Sequence, residues 1–214
     1  NIKSAISNIR SKGIDYKKGE VCLKKNSVLN SRSLSLAYAL NLDKLKVIKK
    51  PKVAVIITGN EIINSSNPYG NINSSNSITI SSLVNFFGGK IIDLQYSSDS
   101  IKDIQNSFDH LHNYDLLITS GGLSAGKYDL VKKALNERKL KLLFEKVAMK
   151  PGKPCAFGLM KNNKYFVGLP GNPVSCFIGM LTFVNQIIKR LLGIHKKDIF
   201  NFCRATSEKD IPKN

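Results

Sequence analysis

Alternating β and α segments from residue 51 onward predict an α/β fold, a three-layer α/β/α sandwich on a mainly parallel sheet. Two observations carry that expectation. Short β-branched and aliphatic runs alternate with longer segments whose apolar residues recur at helical spacing. Three glycine-and-proline-punctuated stretches also each follow a short apolar run, where a loop at the end of a buried strand belongs. They are Ser120-Gly121-Gly122-Leu123-Ser124-Ala125-Gly126, Lys150-Pro151-Gly152-Lys153-Pro154 and Gly168-Leu169-Pro170-Gly171-Asn172-Pro173-Val174-Ser175.

Taken in order, Lys52 to Ile57 is a β-branched run that ends at Thr58-Gly59, and Ser77 to Phe87 carries helical spacing up to the Gly88-Gly89 stop. Lys90 to Leu94 gives the next strand. Ser100 to His112 is a helix with Ile101, Ile104, Phe108 and Leu111 on one face, followed by a strand over Asp115 to Thr119. Asp129 to Glu137 is a further helix; Leu140 to Phe144, Cys155 to Leu159 and Tyr165 to Gly168 are strands, the last two joined by a hairpin at Lys161-Asn162-Asn163-Lys164. Pro173 to Leu192 closes the series as a long apolar helix with Gly193 at its C-cap. Residues 1–50 break the rhythm. There, Asp15 to Leu23 reads as a short β element, Ser31 to Leu40 as a helix and Leu45 to Ile48 as a strand. The expected organisation is a partial N-terminal domain or linker over 1–50, the α/β domain over 51–194, and the start of a C-terminal domain over 195–214.

A chain of 214 residues, 42% hydrophobic and 22% charged, has the material for one main core with flanking pieces. No apolar run approaches the roughly 20 residues of a bilayer span, and Asn1-Ile2-Lys3-Ser4 has no signal-peptide pattern. The expectation is a cytoplasmic protein with no membrane partner. Cys22, Cys155, Cys176 and Cys203 lack the paired spacing of zinc sites or disulfide scaffolds, and read as free thiols. The chain opens on Asn1 and stops at Asp210-Ile211-Pro212-Lys213-Asn214, so it reads as a piece of something longer.

The formal charge of +18 comes from lysines scattered over every segment. Compositional drift and selected anion binding both account for it. No RRM, KH or zinc-finger pattern is present, and the phenylalanines sit in apolar contexts such as Phe86-Phe87 and Phe166, which argues against a nucleic-acid partner. The glycine loops are more informative. Glycines let backbone N–H groups approach a ligand, and such groups at a strand-to-helix turn cradle phosphate. With Lys150 and Lys153 beside them, the three loops point to an enzyme that grips a phosphorylated small molecule.

Four segments carry a resemblance. Thr58-Gly59-Asn60-Glu61, Ser120 to Asp129, Val147-Ala148-Met149-Lys150-Pro151-Gly152-Lys153-Pro154 and Gly168 to Pro173 resemble, in order, the motifs of the molybdopterin molybdenumtransferase family. That family is called MoeA in bacteria and the gephyrin E domain in animals. Ile9-Arg10 through Gly19-Glu20-Val21 is similar to the segment leading into its molybdopterin-binding, MoaB/Mog-like domain. The resemblance implies an enzyme that combines adenylylated molybdopterin with molybdate, uses magnesium, and releases AMP. It implies substrate contacts from Thr58 and Gly59, from Ser120, Gly121, Gly122 and Ser124, from Lys150, Gly152 and Lys153, and from Pro170, Gly171, Asn172 and Ser175. Glu61, Asp99 and Asp129 take the place of the family's functional acids, as catalytic residues and as ligands of the metal. Ordinary helix capping is the other reading for Asp99 and Asp129.

Two departures remove negative charge: Asn60 stands where the family usually has Asp, and Ser74-Ser75-Asn76 where it usually has Asp-Ser-Asn. His110, His112 and His195 lie near helix ends and suit solvated or dipole-pairing roles. Ser124 and Ser175 have no histidine at a readable spacing to make them nucleophiles, and Cys155 stands in an apolar strand and reads as core. The resemblance further implies a homodimer and a molybdopterin adenylyltransferase as partner. The alternatives are an adenylyltransferase of the same fold, or a non-catalytic pterin-binding scaffold.

Overall fold

The computed structural model describes residues 10–60, 73–121, 128–136, 138–194, 204 and 206–209, without the side chains of 128, 129 and 136. Two compact units are present, one within Asn1–Val47 and one within Ile48–Asn214.

In the first unit, α1 (Ser31–Ala39) begins at a capping box: the Asn30 side chain accepts from the Ser33 N–H, and the Ser33 hydroxyl accepts from the Asn30 N–H. Ala37 is its buried residue. The β element expected at Asp15 to Leu23 is not formed. That stretch holds a tight turn closed by Glu20 N–H to Lys17 O with Gly19 at positive φ, and a second turn just before it is closed by Ile14 N–H to Ser11 O with Gly13 at positive φ. Leu45 to Ile48 is likewise not a strand. A short segment becomes a strand only where a partner edge accepts its hydrogen bonds, and among the described residues neither stretch has one.

The second unit is the α/β sandwich. Its six strands are β1 (Lys52–Thr58), β2 (Lys90–Ser97), β3 (Leu116–Ser120), β4 (Lys141–Phe144), β5 (Ala156–Met160) and β6 (Lys164–Leu169), in the order β2-β1-β3-β6-β5-β4. β2, β1, β3 and β6 run parallel; β5 and β4 are antiparallel additions at one edge. The short Lys161–Asn163 turn between β5 and β6, with Asn162 and Asn163 left-handed, leaves no length for a crossover, so those strands form a hairpin. β2 outruns the expected Lys90 to Leu94 because its pairing with β1 continues as far as Thr58↔Ser97.

Helices cover both faces. α2 (Ser75–Phe86) and the C-terminal helix pack on the face that carries Val53, Val55, Ile57, Leu116 and Ile118. α3 (Ile101–Asp109) and α4 (Tyr128–Asn136) pack on the face of Ala54, Ile56, Leu117 and Phe166. Burial on both faces is why β1 and β3 read as unbroken apolar runs rather than alternating ones. Each fully buried Val, Leu, Ile or Phe among them contributes about 1.5–3 kcal/mol by leaving water. α3 stops at Asp109, short of the expected His112, with His110 as its C-cap. Phe87 is buried, but its neighbour Phe86 is 83% exposed despite the apolar sequence context the two share.

The C-terminal helix runs as α5 (Pro173–Gly179), a π-helical turn over Met180–Val184, and α6 (Asn185–Leu191). Its buried stripe, Cys176, Met180, Val184 and Ile188, recurs every four residues. Four-residue spacing overshoots a 3.6-residue turn, so the stripe would rotate off the sheet on an ideal α-helix; the wider π turn takes up the excess. Gly193, at φ +75, ends it with its N–H on Arg190 O. Pro173–Leu191 is long and apolar enough for a membrane span by length and composition, which corrects the expectation that no such run exists. Its buried stripe makes it a core helix of the sandwich.

Candidate functional site

The chain leaves β1 for α2 on one face and leaves β2 for α3 on the other, so its winding reverses between β1 and β3. In open α/β sheets, ligands bind outside the carboxyl ends of the strands at such a point. Here three strand ends are drawn into backbone contact. Gly121, at φ +96 after β3, donates its N–H to Leu169 O at 3.2 Å, and any Cβ on it would collide with the Thr58 carbonyl oxygen at the end of β1. A Cβ on Gly171 would stand 3.5 Å from Gly121 Cα. Glycine at 121 is therefore needed for close approach, and its N–H is engaged within the loop rather than held open for a ligand.

One side chain bridges these ends. Asn76, in the first turn of α2 and only 5% exposed, donates from Nδ2 to Ser120 Oγ at 3.0 Å and to Gly171 O at 2.8 Å. A carbonyl only accepts, so the Gly171 contact fixes which amide atom is nitrogen. Ser120 is fully buried, and its hydroxyl lies 3.4 Å from Pro170 O and 3.8 Å from Cys176 Sγ. Three polar atoms at this edge are buried without a hydrogen-bond partner: Asn76 Oδ1, Thr58 Oγ1 and Thr119 Oγ1.

On the β2 side, Gly59 N–H bonds Ser97 O at 3.2 Å, and Asp99 N–H bonds Asn60 Oδ1 at 2.8 Å. Ser100, not Asp99, caps α3 by accepting from Asp103 N–H, so the helix does not call on the Asp99 carboxylate for that purpose. On the β6 side, Asn172 caps α5: its Oδ1 accepts from Ser175 N–H at 3.1 Å, with Pro173 in the first turn. The antiparallel register Ala156↔Gly168 brings the 150–154 turn to the same edge, with Lys150 and Lys153 exposed. Gly152, at φ +112, closes that turn through Cys155 N–H to its carbonyl at 3.0 Å.

The topology thus gathers Thr58, Gly59, Ser120, Gly121, Lys150, Gly152, Lys153, Pro170, Gly171, Asn172, Ser175 and Asp99 along one edge of the sheet. Glu61, Gly122 and Ser124 lie outside the described residues, as does the Asp129 side chain. Among the described residues no group of three His, Cys, Asp or Glu side chains is placed to hold a metal ion. Cys155 and Cys176 are buried, and burial pushes their thiols up to about 12 and about 11, so both are protonated and unsuited to ligation at neutral pH. An open cleft of ≈ 580 Å³ between Tyr16–Leu23 and Leu40 and Leu42 contains none of the expected site residues.

A family profile described as "Probable molybdopterin binding domain" matches residues 54–190. The chain belongs to that family. It is 38% identical over 87% of its length to a molybdopterin molybdenumtransferase of Haemophilus influenzae, and 34% identical, again over 87%, to one of Staphylococcus aureus. It spans 46% and 45% of those proteins, just under half of each. The crystal structure of a molybdopterin biosynthesis MoeA protein from Pyrococcus horikosii superposes with a TM-score of 0.75 at 32% identity, covering 86% of this chain and 46% of that one. As a member of the molybdopterin-binding-domain family, the chain carries its edge of strand ends inside the matched segment. Asn76 was legible only as part of a motif; its bridging role depends on contacts across 44 and 95 residues of sequence.

Proposed function

We propose that this domain binds adenylylated molybdopterin across the carboxyl ends of β1, β3 and β6 and takes part in inserting molybdate with release of AMP. The observation that carries the reading is the backbone contact of the Thr58, Gly121 and Gly171 loops at the sheet's switch point, in a chain whose relatives are named molybdopterin molybdenumtransferase. A pterin phosphate and its pyrophosphate link need dense positive character. The N-terminus of α5, with Pro173 in its first turn, and the exposed Lys150 and Lys153 supply it at one edge.

Each element has a share in the work. Gly121 lets the ends of β1, β3 and β6 close on one another, the exposed Gly171 keeps that edge free of a side chain, Asn172 sets the orientation of the α5 N-terminus, and the two lysines neutralise phosphate oxygens. Magnesium fits the donor chemistry: the Asp99 carboxylate on this edge is a hard oxygen donor, and the Thr58 hydroxyl at the end of β1 is without a hydrogen-bond partner. Glu61 and Asp129 would join Asp99 in holding the same ion, which would supply positive charge to the phosphoanhydride. A homodimer, and delivery of the adenylate by a molybdopterin adenylyltransferase, belong to the same proposal.

The test is AMP release from adenylylated molybdopterin, followed with and without molybdate and magnesium. Release that requires both supports the proposal. Binding without release in the presence of both refutes catalysis by this chain and leaves a binding domain.

A further inference from the structure

Asn76 is an unusual residue to find in the first turn of a core-facing helix. Ser74 already caps α2 by accepting from Ser77 N–H, so the helix does not need a second polar side chain there. Asn76 is nevertheless more than nine-tenths buried, between α2, the end of β3 and the loop after β6. An apolar residue would fill such a position at lower desolvation cost, and a buried amide with one unpartnered atom marks a site under another demand.

The geometry states that demand. The two N–H bonds of one amide reach two loops that are far apart in sequence: Ser120 closes β3, and Gly171 follows β6. Ser120 Oγ then reaches Pro170 O, so the four groups form a closed set of contacts. Removing the amide cuts both ties from α2 at once, while the sheet pairing Ser120↔Leu169 remains. What loosens is the placement of Gly171 against Gly121 and the entry into α5, not the strands.

We propose that Asn76 is the positioning residue of the phosphate-binding edge: its amide locks the β3 and β6 loops to α2, and its Oδ1 waits for a hydrogen-bond donor of the bound ligand. This rests on the binding reading above. An acceptor buried with no partner is satisfied when an N–H or O–H group arrives, and a pterin ring bears such groups while the ionised pyrophosphate link of the adenylate does not. Asn76 thereby couples loop order to recognition of the ring rather than of the phosphate alone.

The test uses the full chain and two variants, Asn76→Ala and Asn76→Asp, titrated with adenylylated molybdopterin and separately with AMP. Asp keeps the shape but sets an oxygen against the Gly171 carbonyl; Ala removes both bonds and leaves the loops free. Both variants are expected to bind the adenylate at least tenfold more weakly, to lose affinity for AMP by a smaller factor because the loosened edge still serves its phosphate, and to keep the wild-type circular dichroism. In parallel, the amide resonances of Gly121 and Gly171 in ¹⁵N spectra of the unliganded chain should shift or exchange faster, while those of Val53 to Ile57 stay in place. Unchanged Gly121 and Gly171 resonances in folded variants overturn the clamp. Affinity within twofold of wild type, or a loss only in step with the unfolded fraction, overturns the recognition role. If the wild-type chain itself fails to bind the adenylate, the binding reading and with it the recognition role fall, and the amide resonances still decide the clamp.

Discussion

Asn60 Oδ1 accepts the backbone N–H of Asp99 at 2.8 Å, tying the end of β1 to the loop after β2 across 39 residues of sequence. The bond holds the backbone of Asp99 at the edge of the sheet. Replacing Asn60 with Ala removes the acceptor and should lower stability by about 1 kcal/mol, read from urea denaturation. Asn60→Asp keeps an acceptor, strengthens it by its charge, and adds a hard ligand beside Asp99. Its stability should match wild type or exceed it, and the magnesium concentration for half-maximal AMP release should fall. An unchanged magnesium requirement would remove Asn60 from the metal side of the site.

Gly121 is the tightest point of the edge. A side chain there meets the Thr58 carbonyl oxygen and must also adopt φ +96. Gly121→Ala is expected to cost about 2 kcal/mol or more, as a lower denaturation midpoint. Gly19→Ala, also at positive φ but with open space around the missing Cβ, gives the conformational cost alone.

Neighbouring phenylalanines should behave oppositely. Phe87 is 8% exposed within the core, whereas Phe86 is 83% exposed. Phe87→Ala is expected to destabilise by about 3–5 kcal/mol, and Phe86→Ala by about 0.5 kcal/mol or less. Equal effects would mean that α2 packs by a different face.

The contrast shows what sequence alone conveyed. The β1 run and the α2 pattern were legible because both faces of β1 and one stripe of α2 are apolar. The exposure of Phe86 was not, since two adjacent phenylalanines cannot share one helix stripe and the sequence does not say which faces in. The β element expected at Asp15 to Leu23 around the Lys17-Lys18-Gly19-Glu20 turn failed because a turn does not supply a partner edge. The glycine loops of the site were readable from their punctuation. Asn76 was not, because its meaning lies in the Ser120 and Gly171 contacts, which no local pattern encodes. The π turn left a trace in the four-residue spacing of Cys176, Met180, Val184 and Ile188.

Buried thiols give a pH signature. Burial raises Cys155 and Cys176 from an ordinary value of 9.0 to about 12 and about 11 in the fold. Above pH 9 the unfolded chain therefore holds fewer protons at these positions than the native one. Their contribution to stability is full below pH 9 and is lost as pH rises through about 11 to 12. The melting temperature should decline over that range, and less steeply in a Cys155→Ala, Cys176→Ala double variant compared with its own value at pH 8. At pH 8 neither thiol of the native chain should react with an aromatic disulfide reagent, and both should react once the chain is unfolded.

The most direct measurement is calorimetric titration of adenylylated molybdopterin, in magnesium, into the wild-type chain and into Gly171→Leu. Position 171 is exposed, and a Cβ there makes an ordinary contact of 3.5 Å with Gly121, so the variant should fold while its side chain occupies the edge of the site. The expected result is one ligand per chain for wild type and at least a tenfold loss of affinity for the variant. Equal affinity in both, or no binding by the wild-type chain, would contradict a pterin site at the carboxyl ends of β1, β3 and β6.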